Sequence, residues 1–144
     1  MASNLAIGSA IIALTFFIHS VGLILLTSLL SVVAERLPFR DFQMAKIVAM
    51  LIAATGLLVS LGVEIVVWAV GLVNAGAFAD FETALYFSTS TFATVGFGDI
   101  APAPEWRLMA AMEGVAGFLI VGWSTVYLVT AGIRFGPFER DTHF

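Results

Sequence analysis

Three apolar stretches, each long enough to cross a lipid bilayer, constrain this chain more than any other feature. They cover about residues 5–34, 47–73 and 108–133, and a helix of about 20 residues spans the hydrocarbon core of a bilayer. Charged residues make up only 11% of the sequence, against roughly 25% in a soluble domain. We therefore expect an all-α membrane protein with three transmembrane helices.

The first stretch has one alternative interpretation, a cleaved signal peptide. It lacks a basic segment before the apolar run, and the run is about twice as long as the 7–15 residues usual in such a peptide. We therefore predict a retained helix.

The remaining composition excludes several classes of function. The chain has no cysteine, which excludes disulfides, thiolate metal sites and a catalytic thiol. Its net charge is -4 and the acids are scattered, so a nucleic-acid partner has no support. We expect no cofactor and no soluble ligand, and the lipid bilayer as the surrounding medium.

The segment between the second and third stretches, residues 74–107, is neither a fourth span nor a plain loop. Residues 80–92 favour a short helix, because Asp80 is a good N-cap and Glu82 suits the positive end of the helix dipole. About 12 helical residues reach roughly 18 Å, enough to enter a membrane but not to cross it. A glycine-punctuated stretch follows, so the pattern predicts a re-entrant helix and a return loop.

Basic residues indicate the orientation, because cytoplasmic loops are enriched in Lys and Arg. Most of them lie in two segments that three crossings place on one side of the membrane: Arg36, Arg40, Lys46, Arg134 and Arg140. Only Arg107 lies on the other side. We predict an N-terminus outside, a C-terminus in the cytoplasm, and a loop at 74–107 that opens to the outside.

The glycine-punctuated stretch carries the strongest motif of the chain, Thr94-Val95-Gly96-Phe97-Gly98-Asp99. An ion filter needs consecutive carbonyl oxygens that point at one axis and replace the water around a cation. The carbonyls of an ordinary strand alternate in direction instead. Gly96 and Gly98, at alternate positions, permit the left-handed conformations that bring the carbonyls to one side.

The other residues of the motif have predicted roles as well. Val95 and Phe97 are free to point away from the axis and pack. Thr94 adds a hydroxyl ring at the inner end. Asp99 forms an acidic ring at the outer mouth, where it raises the local concentration of cations.

These six residues resemble the signature of potassium channels, in which Phe commonly replaces Tyr. Residues 47–135 resemble the outer helix, pore helix, filter and inner helix of the bacterial two-helix potassium channel family. The segments around Glu64 and Tyr86 are similar to a small subfamily with one extra N-terminal transmembrane helix. The resemblance implies passive K⁺ conduction through a homotetramer in the cell membrane, the inner membrane in bacteria, with residues 94–97 as ligands of K⁺.

The resemblance also implies a division of the chain. Residues 1–46 form the extra helix and a cytoplasmic connector, residues 47–135 form the pore domain, and residues 136–144 form a short cytoplasmic tail. No helix carries an arginine at every third position, so we expect no voltage sensor.

The sequence departs from one branch of that family behind the filter. The branch has a Glu in the pore helix where Ser90 stands, and a Trp where Phe87 stands, so an indole hydrogen bond to Asp99 is not available. Phe97 lacks the hydroxyl that a tyrosine would offer. We expect fewer hydrogen bonds around the filter, with Ser90 as one candidate support.

Two residues of the third stretch are candidates for further roles. Glu113 is either a buried acid that ties the inner helix to Ser88, Thr89 or Ser90, or a pH-sensitive brace for the filter. Gly117 aligns with the gating hinge of the family, and the alternative is close helix packing by small residues.

His19 and Glu64 are ionisable residues inside predicted spans, which makes them candidates for functional roles. The two side chains either contact each other between packed helices or each find a separate hydroxyl partner.

Three rival functions remain to be weighed. Potassium uptake transporters carry four related loops in one chain, and this chain has one. The sequence Gly96-Phe97-Gly98-Asp99 also fits intramembrane aspartyl proteases, but the other aspartates lie outside the spans: Asp41, Asp80 and Asp141. We therefore expect no catalytic residues and no enzyme. A weakly selective or mostly non-conducting pore with a regulatory role is the closest alternative.

Overall fold

The computed structural model describes residues 2–36 and 42–137, and all regular secondary structure in these residues is helical. These residues form four α-helices and one short 3₁₀ turn, Pro104–Trp106: α1 Ala2–Arg36, α2 Phe42–Ala75, α3 Phe81–Phe92 and α4 Arg107–Phe135. The described residues contain no β-strand.

The prediction of three helices long and apolar enough to cross a membrane is confirmed. Within the described residues these segments are Asn4–Glu35, Gln43–Ala75 and Pro104–Phe135. Each helix extends a few residues beyond the apolar run that predicted it, because helical geometry continues into the polar flanks. The connector at 37–41 and the tail at 138–144 lie outside the described residues, and so do Arg40 and Arg140 of the orientation argument.

The short helix α3 begins where the sequence places it. The Asp80 carboxylate accepts a hydrogen bond from the Thr83 backbone N–H at 2.8 Å, which satisfies one of the amide groups left free at a helix start. This bond holds the pKa of Asp80 below its ordinary value. The N-cap prediction is confirmed.

The four helices surround two apolar clusters. The larger one lies where α3 meets α2 and α4, and its most buried side chains are Trp68, Leu72, Phe92, Met109 and Ile120. The smaller one joins α1 to α2 and α4, through Leu26, Leu30, Ala53, Leu57 and Ala131. The helix α1 therefore packs against both α2 and α4, and α3 is fixed between the same two helices.

Glycines bring α1 and α2 close together. A Cβ built on Gly56 would stand 2.5 Å from Leu26 Cδ1, and one on Gly71 would stand 2.5 Å from Ile11 Cδ1. Small residues at helix contacts are typical of membrane proteins, where van der Waals contact rather than the hydrophobic effect holds helices together.

Candidate functional site

The loop after α3 has an alternating backbone conformation. Thr94, Gly96 and Gly98 have positive φ angles of 60°, 58° and 75°, whereas the residues between them do not. Left-handed residues at every second position turn successive carbonyls toward the same side, as an ion filter requires. The glycine spacing predicts two of these three angles. The positive φ angle of Thr94 was not predicted, because a β-branched residue rarely adopts this conformation.

Ser90 of α3 holds the other side of the loop. Its carbonyl oxygen accepts hydrogen bonds from the backbone N–H of Val95 at 2.9 Å and of Gly96 at 3.1 Å. Its hydroxyl oxygen accepts one from the N–H of Phe97 at 3.3 Å. One serine thus accepts hydrogen bonds from three consecutive amide groups of the loop. The sequence predicted support from its side chain, and the structure adds two bonds to its backbone carbonyl.

The carbonyl oxygens of residues 94–98 accept no hydrogen bond from the described part of the chain. The loop therefore directs its donors at α3 and leaves its acceptors free. A row of free carbonyl oxygens is a set of ligands suited to a hard monovalent or divalent cation.

Tyr86 supplies a hydrogen bond that the sequence analysis missed. Its hydroxyl donates to Asp99 Oδ2 at 2.7 Å, and Asp99 Oδ1 accepts from the Ile100 N–H at 3.1 Å. The bond to the Asp99 carboxylate raises the pKa of Tyr86. Asp99 therefore has a hydrogen-bond donor in α3 although no indole stands at position 87. The signal was a tyrosine beside Phe87 in α3, one residue away from the position that was considered.

The side chains of the loop are uncovered in the single chain. Val95 is 55% exposed and Phe97 is 69% exposed, although both are large and apolar. Large apolar side chains grouped at one exposed place are typical of a surface that contacts another protein or lipid. The loop therefore presents a surface that its own chain does not cover.

Two glycines of α4 lie against the end of α3. A Cβ on Gly117 would stand 2.7 Å from Phe92 Cα and 2.8 Å from its carbonyl carbon, whereas a Cβ on Gly114 would meet Thr91 Cγ2 at 3.7 Å. The backbone of Phe92 cannot yield as a flexible side chain can. Of the two roles considered for Gly117, the structure provides the contact needed for close packing.

Glu113 is fully buried between α4 and α3, and Ser88 is the one of the three candidate hydroxyls that lies beside its carboxyl. The geometry is not that of a well-formed hydrogen bond, since neither Glu113 oxygen nor the Ser88 hydroxyl has such a partner among the described residues. The other two candidate hydroxyls are engaged, since Thr89 donates to the Leu85 carbonyl and Ser90 accepts from the loop.

The contact considered between His19 and Glu64 is present. Nδ1 of His19 lies 2.9 Å from Oε1 of Glu64, and both side chains are fully buried. Ser60 donates a second hydrogen bond to the same oxygen at 3.1 Å. His19 and Glu64 therefore lie at the same depth along α1 and α2.

Comparison with known proteins gives the family. Residues 58–134, more than half of the chain, match a protein family described as ion channels. This region contains the end of α2, all of α3, the loop and most of α4. Neither the curated proteins nor the solved structures include a match. The matched region holds the alternating loop and both helices that fix it, and on this basis the chain belongs to the ion channel family.

Proposed function

We propose that this protein is a subunit of a homotetrameric, potassium-selective channel whose filter is formed by residues 94–98. The observation that carries the proposal is the backbone of this loop. Positive φ angles alternate at Thr94, Gly96 and Gly98, and the carbonyl oxygens between them are free of hydrogen bonds within the described chain. Such a row can replace the hydration shell of K⁺.

Potassium is the transported ion in this proposal, and residues 94–97 supply its ligands. Carbonyl oxygens are uncharged, so they bind a monovalent cation without trapping it, and the ion can move to the next site. Asp99 adds negative charge at the outer mouth and concentrates cations there. Conduction is passive and needs neither a cofactor nor a catalytic residue.

The tetramer follows from the number of filter loops. Each chain supplies one such loop, and a closed ring of carbonyls around one axis takes four. The exposure of Val95 and Phe97 supports this assembly, because neighbouring copies would cover the large apolar side chains that the single chain leaves open.

In the membrane, α3 and the loop would form a re-entrant segment of the pore domain at 47–135. Irregular backbone at membrane depth is tolerated only where protein buries it or water fills a cavity, and the ring of four loops provides both. The distribution of basic residues supports a cytoplasmic location for the connector after α1 and for the tail at 136–144. The resemblance to bacterial channels points to a cell membrane, the inner membrane in bacteria, with α1 as an addition at 1–46.

The decisive experiment compares potassium and sodium flux into liposomes that contain the purified protein. We expect K⁺ uptake to exceed Na⁺ uptake by at least about tenfold, which corresponds to about 1.4 kcal/mol of discrimination at 25 °C. Equal permeation of both ions would support a weakly selective pore instead. Absence of flux at every pH and voltage tested would support the regulatory alternative.

A variant of the loop tests the assignment of the filter itself. Gly96→Ala places a Cβ on a residue with a φ of 58°, where an L side chain strains the backbone, so we expect loss of selective flux. Gly122→Ala is the matched control, because it lies in α4 and a Cβ there meets nothing within 4 Å. Selective flux in Gly96→Ala that equals the control would argue against this filter.

A further inference from the structure

The contact between His19 and Glu64 joins the additional helix α1 to the pore region. His19 lies on α1, outside the matched residues 58–134, whereas Glu64 lies on α2 within them. Both side chains are completely buried and 2.9 Å apart. Ionisable groups in such a position are expensive unless their charges are compensated.

The hydrogen bonds of this site leave two atoms without partners. Glu64 Oε1 faces both His19 Nδ1 and the Ser60 hydroxyl, at 2.9 Å and 3.1 Å. Gly22 makes room for this arrangement, since a Cβ there would stand 2.7 Å from Ser60 Oγ. Among the described residues, His19 Nε2 and Glu64 Oε2 have no partner at all.

The charge of the site depends on one proton. When His19 Nδ1 carries a hydrogen, two donors face Oε1, and a neutral imidazole with an ionised carboxylate then leaves a net charge of about minus one in the interior, which is unfavourable. A proton on either of the two unpartnered atoms restores neutrality. On His19 Nε2 it creates an ion pair, and on Glu64 Oε2 it creates a neutral acid beside a neutral imidazole.

We propose that His19 and Glu64 form a proton-binding site inside the membrane. The site holds one exchangeable proton, on His19 Nε2 or Glu64 Oε2, and this proton keeps α1 packed against α2 and α4. Rising pH removes the proton and leaves a buried anion, so the contact of α1 with the pore region weakens.

The described surroundings offer no other charge that would neutralise the site. The remaining charged residues of α1 and α2 lie at helix ends distant from the pair: Glu35, Arg36 and Lys46. On α4, Glu113 and Arg134 lie several turns from the residue that faces the pair, Trp123. Tyr127 is the nearest titratable group of α4, and its hydroxyl is 3.0 Å from the hydroxyl of Thr27. The helix α3 carries one charged residue, Glu82, near its exposed start.

Trp123 of α4 is placed to report the state of the site. The centroids of its ring and the His19 ring are 5.2 Å apart. A charge that appears on the imidazole or the adjacent carboxylate will change the intensity or the wavelength of indole emission. The same contact also links the site to the helix that would line the pore.

The test is a fluorescence titration of the full chain in detergent micelles or nanodiscs, from about pH 5 to about pH 10, a range that covers the ordinary titration of histidine. Phe replaces the other two tryptophans, Trp68 and Trp106, so that the emission comes from Trp123 alone. The indole nitrogen of Trp68 has no hydrogen-bond partner among the described residues, so its replacement removes no such bond. We expect a single-proton transition in Trp123 emission.

Two substitutions assign this transition. Glu64→Gln keeps an oxygen for Ser60 and His19 but needs no proton, and His19→Gln removes the imidazole. In each we expect the transition to vanish or its midpoint to move by more than about one pH unit, equivalent to about 1.4 kcal/mol. Glu113→Gln is the matched control, because it replaces another buried carboxyl, on α4 instead of α2. It should leave the midpoint unchanged.

The proposal is overturned if Trp123 emission does not titrate, or if the transition keeps its midpoint in either Glu64→Gln or His19→Gln. If one of these variants does not elute as a folded protein on gel filtration, the other decides alone. The measurement uses no ion flux, so its result is independent of the proposed potassium selectivity.

Discussion

Gly117 of α4 lies directly against the backbone of Phe92 at the end of α3, so that a Cβ at Gly117 would stand 2.7 Å from Phe92 Cα. Phe92 is followed at once by the loop that carries the alternating φ angles. The position of α4 and the base of the loop are therefore mechanically linked, because neither backbone can move aside without moving the other.

This relationship predicts a strong effect of Gly117→Ala. The added methyl group forces α4 away from α3, and overpacking of this kind typically costs about 1–3 kcal/mol. We expect a lower unfolding temperature of the purified protein in detergent and a reduced K⁺ flux in liposomes.

Gly114→Ala is the matched control for this prediction. It lies one turn earlier on the same helix, and its Cβ meets only Thr91 Cγ2 at an ordinary 3.7 Å. Alanine also favours helix over glycine by about 1 kcal/mol, so Gly114→Ala should be neutral or stabilising. If Gly117→Ala is as stable as this control, the close contact with Phe92 does not restrain α4.

Ser90→Ala tests the hydrogen bonds between α3 and the loop. The substitution leaves the Phe97 N–H without its partner at 3.3 Å but retains the two bonds to the Ser90 carbonyl. We expect a partial loss of about 1 kcal/mol in stability and a smaller ratio of K⁺ to Na⁺ flux, because the carbonyl of the neighbouring peptide is less firmly held.

Ser88→Ala controls for the loss of a hydroxyl from the same helix. The Ser88 hydroxyl lies beside Glu113 but makes no well-formed hydrogen bond in the described chain, so its removal should lower stability less than Ser90→Ala does. An equal change of selectivity in both variants would contradict a specific role for Ser90.

Much of the architecture follows from local sequence patterns. The three spans follow from long apolar runs, the start of α3 follows from Asp80, and two of the three positive φ angles follow from the spacing of Gly96 and Gly98. These features depend on the chemistry of single residues or on short periodicities, which a sequence displays directly.

Contacts between helices were harder to predict, because they depend on relative depth and rotation. Tyr86 and Asp99 meet only because the loop folds back along α3, and no helical periodicity relates two residues across such a return. Glu113 shows the reverse case. Its place in the third apolar stretch predicted a contact with α3, but whether a neighbouring hydroxyl forms a well-aligned hydrogen bond with it depends on rotamers that the sequence does not fix.

Tyr86→Phe tests the hydrogen bond at the outer end of the loop. The change removes the donor to Asp99 Oδ2 and leaves the ring in place, so we expect K⁺ flux to fall by a few fold without loss of folding. Tyr127→Phe is the control, because it removes a hydroxyl that contacts Thr27 instead. Equal flux in the parent and in Tyr86→Phe would contradict a role for this bond.

The same bond has a defined pH dependence. Because the neutral phenol donates to Asp99, the pKa of Tyr86 is raised above its ordinary value of 10.0. Its contribution is fully present below that value and is lost as the pH rises through the higher pKa of the folded state. The difference in stability between the parent and Tyr86→Phe should therefore disappear only in strongly alkaline solution, as measured by unfolding temperature against pH.

Asp80 gives the opposite dependence on pH. The Thr83 N–H lowers the pKa of the Asp80 carboxyl below its ordinary value of 3.8. The ionised cap therefore stabilises the start of α3 at every pH above the pKa that Asp80 has in the unfolded chain. That contribution is lost as the pH falls through the lower pKa of the folded state. Asp80→Ala should lower the unfolding temperature at neutral pH and have little effect in strong acid. Asp80→Asn retains a capping oxygen without the charge, so its unfolding temperature at neutral pH should lie between those of the parent and Asp80→Ala. If Asp80→Ala is as stable as the parent at neutral pH, α3 does not depend on this cap.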